Sequence, residues 1–354
     1  SWVIQGVTAI GMGRLNDKLG PRITMTLGGV PLGVGYLLMS QTDTLWKFFL
    51  FYGIIIGIGM GAAFVPITST IARWFVARRS LMMGITMAGS GTGTLLIPPA
   101  ANQLVATLGW RISYLILGIA IMAVILVAAQ FLKRDPAKMG LQPYGTNKSG
   151  DPETKSAAPE PNLGEVVVSR QFWMCNGLSF CLGFSAYTII VHIVPHMIDL
   201  GVSDTIAASL LSTVGLGVIA GRLMLGTLAD RIGNRNGTAV GFIIMTVAVL
   251  PLAAATQLWA LYILIALFGI AWAAGVTHPP LIADLFGLGA HGMLMGLTTL
   301  GYTIGAAVGP VLGGYIFDVT GSYNIAFILS GILGIVGLVL AMPLKPLTSK
   351  RVVS

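Results

Sequence analysis

A chain of 354 residues that is 55% hydrophobic and only 9% charged, with a mean hydropathy of +0.86, is not a soluble domain. Apolar runs of about 20 residues, the length that crosses ~30 Å of hydrocarbon, recur along nearly all of it. All but Lys47, Arg111 and Arg222 of the 20 Lys and Arg fall in alternate connections, so the net charge of +8 records membrane orientation, basic side cytoplasmic, and excludes a nucleic-acid partner as its cause.

The chain opens inside an apolar run, 1–12, about half a span long, and reads as a fragment that begins mid-helix. Complete spans are expected at 24–41, 48–72, 80–106 and 111–132, forming a truncated N-terminal bundle over 1–132. The polar stretch 133–170, with GTNKSGDPETKSAAPEPN at its centre, reads as a solvated cytoplasmic linker. Six further spans, 171–198, 204–229, 237–255, 258–283, 291–317 and 322–342, make a second bundle over 171–342. A basic cytoplasmic tail, 343–354, follows. Cys175 and Cys181 lie six apart on one helix and point away from each other, which argues against a disulfide or a metal site.

The two halves repeat. GRLNDKLGPR from Gly13 to Arg22 and GTLADRIGNR from Gly226 to Arg235 fit one template: Gly, any, Leu, any, Asp, Lys or Arg, an aliphatic, Gly, any, Arg. At nearly the same offset Pro66 matches Pro279, Gly84 matches Gly296, and Pro98 matches Pro310, while GWRISYLILGI (109–119) aligns with GSYNIAFILSGI (321–332). Two repeated bundles around a midplane site are the parallel-repeat architecture of a secondary transporter. The doubled loop, the long central linker and the six-plus-six pattern resemble the major facilitator superfamily, over the whole chain. That resemblance implies an all-α membrane fold of two six-helix bundles with pseudo-two-fold symmetry. It also implies that 1–12 ends helix 2, that helix 1 is absent, and that the chain by itself does not transport, because helix 1 lines the cavity.

Asp17 and Asp230 are each expected just past the end of a helix, facing the negative end of its dipole, which costs roughly 0.3–1 kcal/mol. Each therefore needs a partner, either a cation or another helix's N-terminus. Candidate cations are Arg14, Lys18, Arg22, Arg231 and Arg235, and Arg73, Arg78 and Arg79 in the next cytoplasmic loop. In the superfamily such loops latch the halves together, so the resemblance implies a latch built from these groups with the turn glycines Gly13, Gly20, Gly226 and Gly233. The alternative is a positive-inside turn. Trp74-Phe75-Val76-Ala77-Arg78-Arg79-Ser80-Leu81, followed by Gly84, Ala88-Gly89 and Gly93, is similar to the entry to helix 5 in monocarboxylate porters and oxalate–formate antiporters.

Arg222 is the one Lys, Arg, Asp or Glu deep inside an apolar segment. It precedes Asp230 by eight residues, about 12 Å of helix rise, which places it near the membrane midplane. A guanidinium there needs a cavity or a partner, and its planar fork matches a carboxylate. No carboxylate of this chain lies deep enough, so a solute anion is the economical counter-charge; backbone carbonyls or a helix-1 residue are the alternatives. The porters named above carry an arginine in helix 8 at the matching place. The chain departs from them in having Val218 where some have Asp, and no Lys between Met293 and Phe317, which argues against two-point binding of a dicarboxylate.

His192 and His196, one turn apart near the outer end of a helix that Pro195 is expected to break, and His278 are candidates for a coupled proton or for gate-lining roles. His291 is expected in a loop, solvated. Asn176, Tyr187, Trp272, Thr298, Thr299, Tyr302, Thr86 and Ser90 supply scattered hydrogen-bond groups to an otherwise apolar cavity suited to a small organic anion, though each alone is more often a helix contact. GxxxxGK[ST], HExxH and a Cys/His cluster are absent from the sequence, and GSGTG (89–93) lies within a membrane span, so no enzyme activity, nucleotide or cofactor is expected. The expected protein is a monomeric carrier in the cell (inner) membrane, moving a small carboxylate by proton symport or anion exchange. Its rivals are a facilitator-type exporter of drugs or hydrophobic compounds and a non-transporting receptor or sensor.

Overall fold

The computed structural model describes residues 1–145 and 163–345; the middle of the linker, 146–162, and the tail from 346 lie outside the described residues. The chain is helical nearly throughout, because in hydrocarbon a backbone N–H or C=O must find its partner within its own segment. In chain order the helices are α1 (Trp2–Leu19), α2 (Pro21–Met39), α3 (Leu45–Trp74), α4 (Arg79–Phe131), α5 (Leu163–Val167), α6 (Arg170–Asp199), α7 (Asp204–Ile232), α8 (Asn234–Leu252), α9 (Leu258–Phe286), α10 (His291–Thr320) and α11 (Asn324–Ala341). Among the described residues nine segments are long and apolar enough to cross a membrane, two of them within α4.

Four departures from the sequence reading have local causes. The helix of the opening run continues to Leu19, so Asp17 lies inside its last turn; Asp230 likewise precedes the end of α7 at Ile232. The expected break at 107–110 shrinks to Gly109, whose φ of 77° turns the chain between two spans without a loop. Pro195 is carried inside α6 without ending it. Finally, the first part of the linker is docked. The Trp74 indole donates to the Lys133 carbonyl (2.8 Å), Val76 and Ala77 donate to the Tyr144 carbonyl, and Tyr144 donates back to Trp74 (2.8 Å).

α3 and α9 are distorted. α3 holds a π-helical stretch, Phe49–Ile56, and α9 tightens to a 3-10 turn over Ala273–Thr277, just before Pro279 and Pro280, which lack the N–H an α-helix needs.

α1 crosses α10 and α7 crosses α4, and the two crossings are copies of each other. Gly13 lies against the Gly292 carbonyl and Gly296 against that of Ala9; in the repeat, Gly226 lies against the Ser80 carbonyl and Gly84 against that of Arg222. A Cβ at any of these four would overlap the facing backbone, which is why the crossings are so close. α10 turns a further row, Gly301, Gly305, Gly309 and Gly313, against α6. Leu178, Ile189, Leu210, Phe268 and Phe327 fill the core of the second half.

Candidate functional site

The repeated loop is explained residue by residue at one end of the molecule. Its first glycine permits the crossing just described. Its second, Gly20 or Gly233, has φ of 88° or 89° and turns the chain into the next helix with no Cβ to strain. Its Asp caps a helix of the other half. Asp17 accepts from the backbone N–H of Gly292 (3.0 Å) and Met293 (2.9 Å), and Asp230 accepts from Ser80 and Leu81 (both 2.9 Å). Of the two partners the sequence left open, the structure has the helix N-terminus, where free amides and the positive dipole end meet a carboxylate. Burial pushes the Asp17 carboxyl above the usual carboxylate range, against the pull of the two amides and of Arg73 and Arg134.

The cations hold other groups. Arg73 pairs with Asp135 (3.3 Å) and donates to the Leu288 carbonyl (2.8 Å), and Arg79 pairs with Asp284 (3.5 Å) and donates to the Phe75 carbonyl. Asn234 joins the second capping group, accepting from the Ser80 hydroxyl and donating to Asp284 (both 2.6 Å). Lys18, Arg22, Arg78, Arg231 and Arg235 are exposed at the same end; Arg78 has a left-handed backbone (φ 55°), and Arg235 reaches the Leu344 carbonyl.

Arg222 sits on α7 about two turns above Asp230. Its guanidinium donates to the Ser90 hydroxyl on α4, and among the described residues it has no carboxylate partner. Beside it stands a group of aromatic side chains from three helices. Tyr302 of α10 is close enough to Arg222 to interact with it electrostatically, and accepts a hydrogen bond from the Trp272 indole of α9 (3.2 Å). Tyr187 of α6 stands edge-on to both rings, at 6.0 and 6.2 Å, and packs on Trp2 (4.6 Å). A mainly apolar cavity of about 370 Å³, lined by Trp2, Ile4, Tyr187, Val191, Ala306 and Pro310 among others, lies beyond Tyr187, on the side away from the capped helix ends. The site therefore runs from cavity through aromatic hydroxyls to a cation.

Five of the residues singled out in the sequence, Arg222, Ser90, Tyr302, Trp272 and Tyr187, are thus brought together. Thr298 and Asn176 are not part of this group. The Thr298 hydroxyl donates to carbonyls of its own helix and is buried, and Asn176 lies against Gly301 at the α6–α10 contact. The histidines are spread out. His192 bonds the Pro310 carbonyl (2.9 Å) and stacks on Tyr323 (4.8 Å), while His196 lies edge-on to Tyr323 and Phe327. His278 bonds the Ser179 hydroxyl (3.0 Å). His291 is wholly buried and bonds the Pro279 carbonyl (3.1 Å), correcting its reading as a solvated loop residue. Both cysteines are buried and free.

The sequence profile described as Major Facilitator Superfamily matches residues 1–198 and again 176–353, so the whole chain is covered. The chain belongs to the major facilitator superfamily. This facilitator is 29% identical over 329 residues to monocarboxylate transporter 11 of Homo sapiens, with 90% of this chain and 67% of that protein covered. It is 27% identical over 327 residues to monocarboxylate transporter 13 of Rattus norvegicus, with 90% and 72% covered. Its fold is shared with the E. coli fucose:proton symporter, at a TM-score of 0.73 and 16% identity over 96% of this chain and 88% of that one. The human organic anion transporter MFSD10 is as similar, at 0.73 and 18%, with 96% and 82% covered. The facilitator is thus a multi-pass membrane transporter related to monocarboxylate transporters, and not an enzyme.

Sequence reasoning missed Asp135, Asn234 and Asp284 in the facilitator's capped ends. Asn234 had a signal: it is the one position of the repeated loop where a polar residue stands for an apolar one, Pro21. Asp135 and Asp284 had none, because each works through a partner far away in sequence.

Proposed function

We propose that this facilitator carries small monocarboxylates by alternating access, coupled to proton symport or anion exchange. The observation that carries the reading is Arg222: a cation at mid-depth whose hydrogen bond goes to a neutral hydroxyl, beside the aromatic group and without a carboxylate partner among the described residues. Its fork offers two parallel N–H donors to one carboxylate, and Tyr302, Trp272 and Tyr187 enclose a short apolar tail. The similarity to monocarboxylate transporters 11 and 13 supports an anionic cargo.

The capped ends serve as latches on the cytoplasmic face. With Asp17 and Asp230 holding α10 and α4, that face is shut while the cavity beyond Tyr187 opens on the other side. Release of both caps lets the halves rock on their glycine crossings. The coupled proton has His192, His196 and His278 as candidate carriers. The protein works as a monomer in the cell membrane, with linker and C-terminus cytoplasmic.

The test is equilibrium binding of labelled lactate, pyruvate, formate, acetate and oxalate to the protein in lipid nanodiscs. A monocarboxylate is expected to bind and to be displaced by other monocarboxylates in preference to oxalate. Binding should weaken about 10- to 100-fold in Arg222→Gln, the worth of a charge-assisted pair of ~1.5–3 kcal/mol. Equal binding by the variant would refute the role of Arg222.

A further inference from the structure

We propose that His291 is a proton-binding site within the Asp17 latch, and that protonating it from the latch side releases α10. The proposal rests on the latch reading above and goes beyond it by making that latch pH-sensitive.

His291 is the residue immediately before the two amides that Asp17 caps. Its ring is 0% exposed. Nε2 lies 3.1 Å from the Pro279 carbonyl, which can only accept, so Nε2 carries the hydrogen and Nδ1 is left with a bare lone pair. Nδ1 is buried and has no hydrogen-bond partner among the described residues. The closed latch thus satisfies the neutral ring only: a second ring N–H would be a buried donor with nothing to accept it, at the positive end of α10. Once α10 moves away from α1, water reaches Nδ1 and the ring can take up a proton in the ordinary histidine range near ~6.5.

The internal repeat supports a cationic role for this position. By the offset that pairs Gly84 with Gly296, His291 corresponds to Arg79, which precedes the amides capped by Asp230. There the charge is permanent and has Asp284 beside it (3.5 Å). One latch therefore carries a fixed cation and the other a titratable one. Arg73 on α3, Arg79 on α4 and His278 on α9 act on His291 electrostatically; Asp17 on α1 caps the two amides that follow it, and Asp284 on α9 stands beside Arg79. Their signs separate. The Asp17 carboxyl, raised by burial, binds its proton more tightly in the closed latch, so its titration favours closure as pH falls toward the carboxylate range. His291 accepts its proton only in the open latch, so its titration favours opening as pH falls through ~6.5. Opening on mild acidification is the signature of His291.

The readout is amide hydrogen exchange of the peptide containing Gly292 and Met293, whose N–H groups are protected only while Asp17 holds them. The peptide containing Ser80 and Leu81 serves as the internal reference at each pH, after correction for intrinsic exchange. In nanodiscs, protection of the first peptide relative to the second should fall by about tenfold between about pH 7.5 and about 5.5, on either side of ~6.5. His291→Gln should remove that dependence. A wild type with constant or rising relative protection overturns the proposal without any variant having to fold. A dependence that survives in His291→Gln, or in His291→Asn should the first variant misfold, overturns it as well. Asp17→Asn separates the two readings: it should lower protection at every pH, and if it does not, the latch itself is refuted.

Discussion

At the residue scale the proposed site rests on one guanidinium and three rings. Arg222→Lys keeps the charge but not the planar fork, so it should recover only part of the affinity that Arg222→Gln loses; equal affinity for Lys and Arg would show that charge alone is read. The Trp272 indole holds the Tyr302 hydroxyl at 3.2 Å. Trp272→Phe removes that bond while nearly filling the volume, and a typical net bond of ~1 kcal/mol predicts a roughly fivefold loss of carboxylate affinity with the fold intact. Tyr187 stands between the cavity and the Arg222 group. Tyr187→Ala should favour longer-tailed acids over formate and acetate in competition binding; an unchanged order of preference would show that Tyr187 does not select among tails.

At the element scale the proposed rocking of the halves turns on the two crossings. Asp17→Asn and Asp230→Asn each replace an anion with an amide that presents hydrogens to other hydrogens, and each should weaken its cap by ~1–2 kcal/mol, a five- to thirtyfold rise in exchange of the capped amides. No rise would mean that the contacts contribute nothing to closure. Gly84→Val puts a branched side chain against the Arg222 carbonyl and should destabilise the α4–α7 crossing by ~1–3 kcal/mol, read as a lower unfolding temperature in detergent. The same substitution at Gly89, which faces open space, should cost little.

These elements also show how far the sequence can be read. Helix positions follow from apolar run length, and the doubled GRLNDKLGPR loop announces two equivalent ends because its glycines and Asp are needed wherever such a crossing exists. The choice of cap was not legible: Arg73 and Arg79 are close to the right place, but their acceptors, Asp135, Asp284 and the Leu288 carbonyl, lie on segments that only folding brings near. Gly109 misled because a single left-handed glycine can do the work of a loop. His291 misled because it looks like the start of a loop-to-helix turn, although its alignment with Arg79 was already implied by the repeat. Tyr187, Trp272 and Tyr302 were legible as types, yet Thr298 and Asn176 look the same in sequence and face elsewhere.

At the scale of the whole molecule, the caps, the Arg73 and Arg79 ion pairs and the docked linker segment lie at one end, and the cavity beside Tyr187 at the other. Membership of the facilitator superfamily supplies transport; the proposal adds that Arg222 sets the charge of the cargo. The most direct test of that claim is uptake of labelled monocarboxylates into proteoliposomes by the protein and its Arg222→Gln variant, with and without a pH gradient. One small monocarboxylate should be taken up by the wild type and lost in the variant, with the gradient separating symport from exchange. Uptake that persists in Arg222→Gln, or a wild type that moves no acid but exports hydrophobic compounds, would contradict an anion carrier.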